Sequence, residues 1–255
     1  MPVLHPLSMV RFSASPAPLN LSEHHNRTIR SYVLRQGRLT SGQARAIELY
    51  WHRFGIGYTR EPVDLDAIFG RTNPKILEIG SGMGEVTVAL AEKHPENDYL
   101  AVEVHRPGVG SLIRLAASAN LENIRVIQHD AAQILRYQIQ NNSLDEVYCF
   151  FPDPWPKKRH HKRRLINPDF LALLLTRLKL HGRIIVLTDL EDMAEHVLTV
   201  CDSNKGLVNL AGCGHYAPRP GWLPVTKFEN RGRKLGHRIW TLAYGVNLSS
   251  YPATH

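Results

Sequence analysis

Five carboxylates stand at or near the ends of apolar runs: Glu78, Glu103, Asp130, Asp153 and Asp189. Acidic residues number only 23 of 255, so five at five such ends form a pattern. In an open α/β sheet, ligands bind outside the carboxyl ends of the strands, where such side chains converge. Helix capping is the plain alternative for Asp130 and Asp189, because Asp accepts backbone N–H bonds there. It explains Glu78 poorly, since Glu78 precedes a glycine turn, Gly80-Ser81-Gly82-Met83-Gly84. Glycine permits positive φ and lets a ligand approach the backbone closely. The spacing is G-x-G-x-G, whereas dinucleotide sites carry G-x-G-x-x-G. Glu103 ends the next run and can accept both hydroxyls of a ribose. Gly80, Gly82 and Glu103 together suit an adenosine-type cofactor, S-adenosylmethionine ahead of NAD.

The sharpest local feature is the loop Phe150-Phe151-Pro152-Asp153-Pro154-Trp155-Pro156-Lys157. Three prolines fix φ and predict a stiff, extended segment. Stiffness is useful where one carboxylate, Asp153, must be held in a set geometry. Trp155 offers a flat surface for stacking on a base. The cationic run KKRHHKRR follows at 157–164. Carboxylate, aromatic and cationic tract read as base recognition beside phosphate binding. The plainer alternative is a rigid loop with a buried Trp and a solvated basic helix start.

Alternating strands and helices must position these groups. Apolar runs at 75–79, 99–104, 124–128, 145–151, 183–187 and 239–244 predict strands. Stretches at 44–54, 85–94, 109–119, 131–138, 168–178 and 193–201 predict helices. The alternation predicts an α/β fold, a doubly wound and mostly parallel sheet with helices on both faces. We expect a disordered tail at 1–27, a basic helical extension at 28–72, the main domain at 73–246 and a C-terminal tail at 247–255.

Composition narrows the function classes. The net charge of +8 comes from 31 Lys+Arg against 23 Asp+Glu. Segments 1–60, 157–164 and 219–238 hold 20 of the 31 cations, so the remainder is acidic. An acidic body with three basic patches suggests a polyanionic partner, nucleic acid above all. No apolar run approaches the roughly 20 residues of a membrane span, and Pro2, Pro6, Pro16 and Pro18 interrupt any secretory signal. Three cysteines, Cys149, Cys201 and Cys213, lack metal spacing and suit a reducing cytoplasm. The pairs His24-His25 and His160-His161 lack i, i+4 ligand spacing, so no metal is expected.

Together, EIGSGMG, AVEVHRPGVG, HDA, FPDPWPKKRHHKRR, LTD and PVTKFENRGRKLGH resemble the bacterial tRNA (guanine-N7)-methyltransferases. RSYVLRQGRLTSGQ at 30–43 is similar to that family's entry segment, and the resemblance spans 28–245. It implies a seven-stranded, Rossmann-like methyltransferase fold, S-adenosylmethionine as cofactor, and methylation of guanine 46 in the tRNA variable loop. By matching motif, it implies that Glu78, Glu103, Asp130 and Asp153 bind the cofactor. Asp153 is then also the catalytic or guanine-orienting residue. Lys157, Asp189, Thr226, Lys227, Phe228 and Glu229 would contact substrate. Arg159, His160, His161, Lys162, Arg163 and Arg164 would engage the RNA. Leu190 and Ser81 depart from the family, which often has Trp and Phe there. The competing readings are an exocyclic-amine methyltransferase, whose loop carries two adjacent prolines, and a non-catalytic RNA-binding module. The oligomeric state, monomer or homodimer, stays open.

Overall fold

The computed structural model describes residues 30–33 and 37–250. The tail at 1–27, the His24-His25 pair, positions 34–36 of the entry segment and the end of the C-terminal tail lie outside the described residues. Helix α1 (Ser41–Phe54) is started by Thr40, whose hydroxyl accepts the Gln43 N–H while the Gln43 side chain accepts the Thr40 N–H. This reciprocal cap satisfies two otherwise free donors. Ala46, Ile47, Trp51 and Phe54 form its buried stripe. The helix packs on α4 (Arg106–Ser118). There Gly110 makes room, because a Cβ on it would stand 2.9 Å from the Gln43 Cβ.

The sheet holds β1 (Gly55–Ile56), β2 (Lys75–Ile79), β3 (Asp98–Val102), β4 (Ile124–Ile127), β5 (Leu144–Phe150), β6 (Leu178–Thr188), β7 (Leu207–Asn209) and β8 (Trp240–Val246). Their spatial order is β1-β4-β3-β2-β5-β6-β8-β7. All pairings are parallel except those of β8 with β6 and β7. The chain steps from β2 outward through β3 to β4, then returns to lay β5 on the other side of β2. That reversal opens a crevice at the carboxyl ends of β2 and β5, where an open α/β sheet binds ligands.

Both faces of the sheet are covered, which is why its strands read as nearly continuous apolar runs. On one face Leu77, Leu100, Ile127, Val147 and Val186 pack with Ile134, Leu171 and Val197. These last three come from α5 (Ala131–Tyr137), α6 (Pro168–Arg177) and α7 (Glu191–Asp202). On the other, Ile76, Tyr99, Ala101 and Val126 pack under α1, α3 (Glu85–Lys93) and α4. Among the described residues no helix is long and apolar enough to cross a membrane.

The expected seven strands are corrected to eight. Gly55, which breaks the helical pattern in the sequence, begins the two-residue strand β1 that pairs with β4. It can do so because the Trp51 ring lies where a Cβ of residue 55 would be, 2.2 Å away. Segment 41–56 is thereby tied into the main sheet. Strand β6 starts at Leu178, five residues before the expected strand. The short helix α2 (Leu65–Phe69), strand β7 and helix α8 (Lys227–Lys234) carry no apolar run long enough to mark them in the sequence. Helix α8 is almost wholly polar, and what holds it is a cap and ion pairs.

Gly84 starts α3 with φ +84°, and a Cβ there would come within 2.7 Å of the Leu112 Cα on α4. Gly84→Ala therefore combines a left-handed backbone with a backbone collision. We expect a loss of about 2–4 kcal/mol, read as a lowered urea midpoint at an unchanged m-value.

Candidate active site

A cleft of about 340 Å³ lies at the strand reversal, lined by Gly80, Gly82, Glu103, His129, Phe151, Asp153 and Phe228 among others. The glycine turn forms its floor. Gly80 and Gly82 have φ of +76° and +56°, and a Cβ on either would meet nothing within 4 Å. The backbone is thus bare toward open space. Glu103 stands beside it, nearly buried, with one carboxylate oxygen accepting the Gly82 N–H and the other the His105 N–H, each at 2.8 Å. Burial pushes the Glu103 carboxyl up, against the pull of the two N–H groups. Each oxygen keeps a lone pair for a ligand. The residues present fit an adenosine-type cofactor: a bare glycine floor and a fixed carboxylate with spare acceptors, suited to ribose hydroxyls.

The other cofactor candidates are placed differently. Glu78 is buried inside β2 and does not line the cleft; its carboxylate receives the Thr87 hydroxyl at 2.6 Å. Burial raises its pKa to about 7, with the Thr87 bond opposing and the Glu103 charge adding. Asp130 caps α5 by accepting the Gln133 N–H at 3.0 Å, as the plainer alternative has it. Asp130 borders a neighbouring groove, while His129 and Ala131 on either side of it line the cleft. His129, which sequence reasoning missed, stacks on Tyr58 at 3.7 Å between ring centroids. Burial holds its pKa below the usual histidine range.

Asp153 is exposed at the cleft, and its carboxylate accepts the Val33 N–H at 3.4 Å. The loop that carries it is bracketed by two non-glycine residues with positive φ, Phe151 at +52° and Trp155 at +44°. Such backbone is strained for aromatic residues and persists only where packing enforces it. The expected stacking surface is corrected here. Trp155 is 9% exposed, its indole N–H donates to the Ser31 carbonyl at 2.8 Å, and Arg163 lies over its ring. It anchors the loop. The exposed aromatic at the cleft is instead Phe228, 58% exposed and stacked on Phe151 at 5.9 Å.

The cationic run divides in the same way. Residues Lys158–Arg163 form a 3-10 helix with Lys158, Arg159 and Lys162 exposed; Lys157, just before it, is exposed too. His160 meets the Trp155 ring edge-on. Arg164 is 2% exposed and is paired with Asp192, with further bonds to the Pro154 carbonyl and His161. Its expected place among the RNA-facing side chains is therefore corrected: it clamps the loop to α7.

The segment 226–229 is split too. Thr226 is buried and caps α8 through the Glu229 N–H. Glu229 is 0% exposed and paired with Arg219 and Arg233. Burial works to raise its carboxyl, but the two guanidiniums together hold it below the ordinary range. Direct substrate contact by Thr226 and Glu229 gives way to a structural placement. Lys227 is exposed and paired with Glu85, and Phe228 faces the cleft. Asp189 faces His237 at 3.4 Å and leaves the start of α7 without a side-chain cap, so the capping alternative fails for it. Gly232 of α8 sits against it, since a Cβ there would stand 3.1 Å from its Oδ2.

Cys149 is buried in β5, and burial with the Glu78 charge pushes its thiol up to about 12. It is a core residue, as its place inside the strand suggests. No group of three or more His, Cys, Asp or Glu among the described residues is arranged to hold a metal.

The family model described as "Putative methyltransferase" matches residues 72–242. A tRNA (guanine-N(7)-)-methyltransferase of Nitrosomonas eutropha is 54% identical over 216 residues, 85% of this chain and 96% of that protein. The protein of the same name from Nitrosomonas europaea is 56% identical over 211 residues, 83% of this chain and 93% of its own. The chain belongs to the tRNA (guanine-N(7)-)-methyltransferase family. A third member, from Neisseria gonorrhoeae, is 51% identical over 227 residues, 89% of this chain and 94% of its own. The family's sequence match thus extends beyond the methyltransferase core into α1 and the residues before it.

Glu78 generates a pH prediction. Its folded pKa near 7 lies above the ordinary value of 4.5. A carboxyl raised on folding supports stability below the unfolded pKa and loses that support as pH rises through the folded one. Between pH 5 and pH 8 this one group should withdraw about 3 kcal/mol. Glu78→Gln, which keeps an acceptor for Thr87, should flatten that part of the profile and leave the variant more stable than wild type at pH 8. Urea midpoints of both proteins at the two pH values check it.

Proposed function

We propose that this protein transfers a methyl group from S-adenosylmethionine to N7 of guanine 46 in the variable loop of tRNA. Family membership carries the reaction class, and the cleft with Glu103 fixed by the Gly82 and His105 N–H groups supports the cofactor. When bound, the cofactor supplies an electrophilic methyl on a sulfonium, which guanine N7 can attack through its free lone pair without a general base. The protein's task is then alignment and exclusion of water.

Glu103 and the bare turn at Gly80 and Gly82 hold the adenosine part, with Glu78 supporting the turn from below through Thr87. Asp130 caps α5 and so fixes His129 and Ala131, which line the adenosine end of the cleft. Asp153 accepts hydrogen bonds from guanine N1–H and its exocyclic amine, which selects guanine over adenine and offsets the positive charge that methylation leaves on the base. The Val33 N–H gives way to the base at this carboxylate. Phe228, backed by Phe151, stacks on the base after it is turned out of the tRNA. Asp189, seated against α8, and Lys227 border the entering nucleotide. Lys157, Arg159, His160, Lys162 and Arg163 lie against phosphates. Three free thiols suit this work to a reducing cytoplasm.

The test is methyl transfer from labelled cofactor to unmodified tRNA transcripts with G46 present or replaced by A. Label confined to the G46 transcript and mapped to N7 establishes reaction and position. Label on both keeps the activity and rejects the position; label on neither rejects the substrate. Asp153→Asn should lower kcat at least about 100-fold with an unchanged melting temperature, because Asp153 is exposed and supports little of the fold. Phe228→Ala should raise the KM for tRNA about tenfold, the scale of one lost base–aromatic stack, while Phe228→Tyr stays near wild type.

A further inference from the structure

A second depression of about 690 Å³ lies next to the cleft, walled by α5, the start of α6, the end of the 3-10 helix and residues 30–32. Ser31, Tyr32, His129 and Leu165 line both spaces, so the two adjoin along these residues. Around the second space stand Arg30, Arg136 and Lys162, all exposed, none with an ion-pair partner among the described residues. Arg163 lies over Trp155, and Arg164 is bound to Asp192. Of the acidic residues there, Asp130 is turned to the α5 backbone and Asp169 lies in the first turn of α6. Across the cleft, Lys227 is paired with Glu85 and Arg233 with Glu229, while Arg231 and Lys234 of α8 are exposed.

We infer that this groove seats the sugar–phosphate backbone of the RNA strand flanking the target base, with Arg136, Arg30 and Lys162 on successive phosphates. The inference rests on the proposed RNA substrate and adds the path of the strand and Arg136, which lies far in sequence from the KKRHHKRR run. Three considerations carry it. A base turned into the cleft keeps its own phosphates at the cleft mouth, next to this wall. A single small anion is held by converging buried ligands, whereas exposed cations strung along a groove suit a polymer that releases counterions. Arg30, Arg136 and Lys162 line one groove, and no carboxylate is paired with any of them among the described residues.

The experiment measures binding of an unmodified tRNA transcript by fluorescence anisotropy from 50 to 300 mM KCl. It compares wild type, Arg136→Glu, Arg136→Ala and Lys162→Glu with Lys205→Glu, an exposed cation outside the groove. Arg136→Glu should weaken binding about tenfold or more, and Arg136→Ala should reduce the log–log salt slope by about one. Cofactor affinity by calorimetry and the melting temperature should not move, and kcat at saturating tRNA should be kept while KM rises. Wild-type affinity and slope in both Arg136 variants would overturn the groove. An equal loss in Lys205→Glu would also overturn it, since net charge alone would then explain the effect. A wild type that binds tRNA in this salt-dependent way yet methylates no transcript would reject the proposed reaction while leaving the groove tested by binding. Failure of the wild type to bind tRNA at all would reject both.

Discussion

The cleft depends on one close approach of backbone to backbone. The Gly82 N–H is held by Glu103, and a Cβ on Gly108 of α4 would come 2.2 Å from the Gly82 carbonyl oxygen. Only glycine at 108 lets α4 lie this close to the turn between β2 and α3. Gly84 serves the same packing one step further along, against Leu112. The turn is therefore clamped between the end of β3 and the start of α4, and its carboxylate is set before any ligand arrives. Such preorganisation is what a reaction governed by alignment requires.

Charge in this molecule is sorted into two roles. Arg164, Arg219 and Arg233 neutralise Asp192 or the buried Glu229 and hold the loops around the cleft. Lys157, Arg159, Lys162 and Arg136 are exposed and unpaired among the described residues. A buried pair is costly to break from one side, because the partner is left charged without compensation. An exposed cation can be exchanged for small cost and is available to a polyanion.

The fold was largely legible in the chain. Lys75–Ile79 begins and ends where its apolar run does, because a strand covered on both faces leaves an unbroken apolar signature. The bounds of α3, α4 and α5 lie within a few residues of the expected ones, because each buries one face and repeats its apolar residues at the helical period. The departures are equally physical. Strand β1 has only two residues and begins at a glycine, so it carries no period. Helix α8 is specified by the Thr226 cap and by Arg219, ten residues before the glutamate it pairs with. No pattern within a helical window registers such a contact.

The site divides along the same line. Sequence by itself determined the family, the α/β architecture, the glycine turn beside Glu103 and the stiff loop bearing Asp153, since these are local in the chain and fixed by residue type and spacing. Tertiary structure alone decided which members of each motif face a ligand. It buried Trp155 and Arg164, turned Thr226 and Glu229 to the support of α8, and brought Phe228 to the cleft against Phe151. It also brought Arg136 and Lys162, distant in sequence, to the lining of one groove. Whether a side chain is consumed by a neighbour or left free depends on contacts between residues distant in sequence, and those exist only once the sheet has closed.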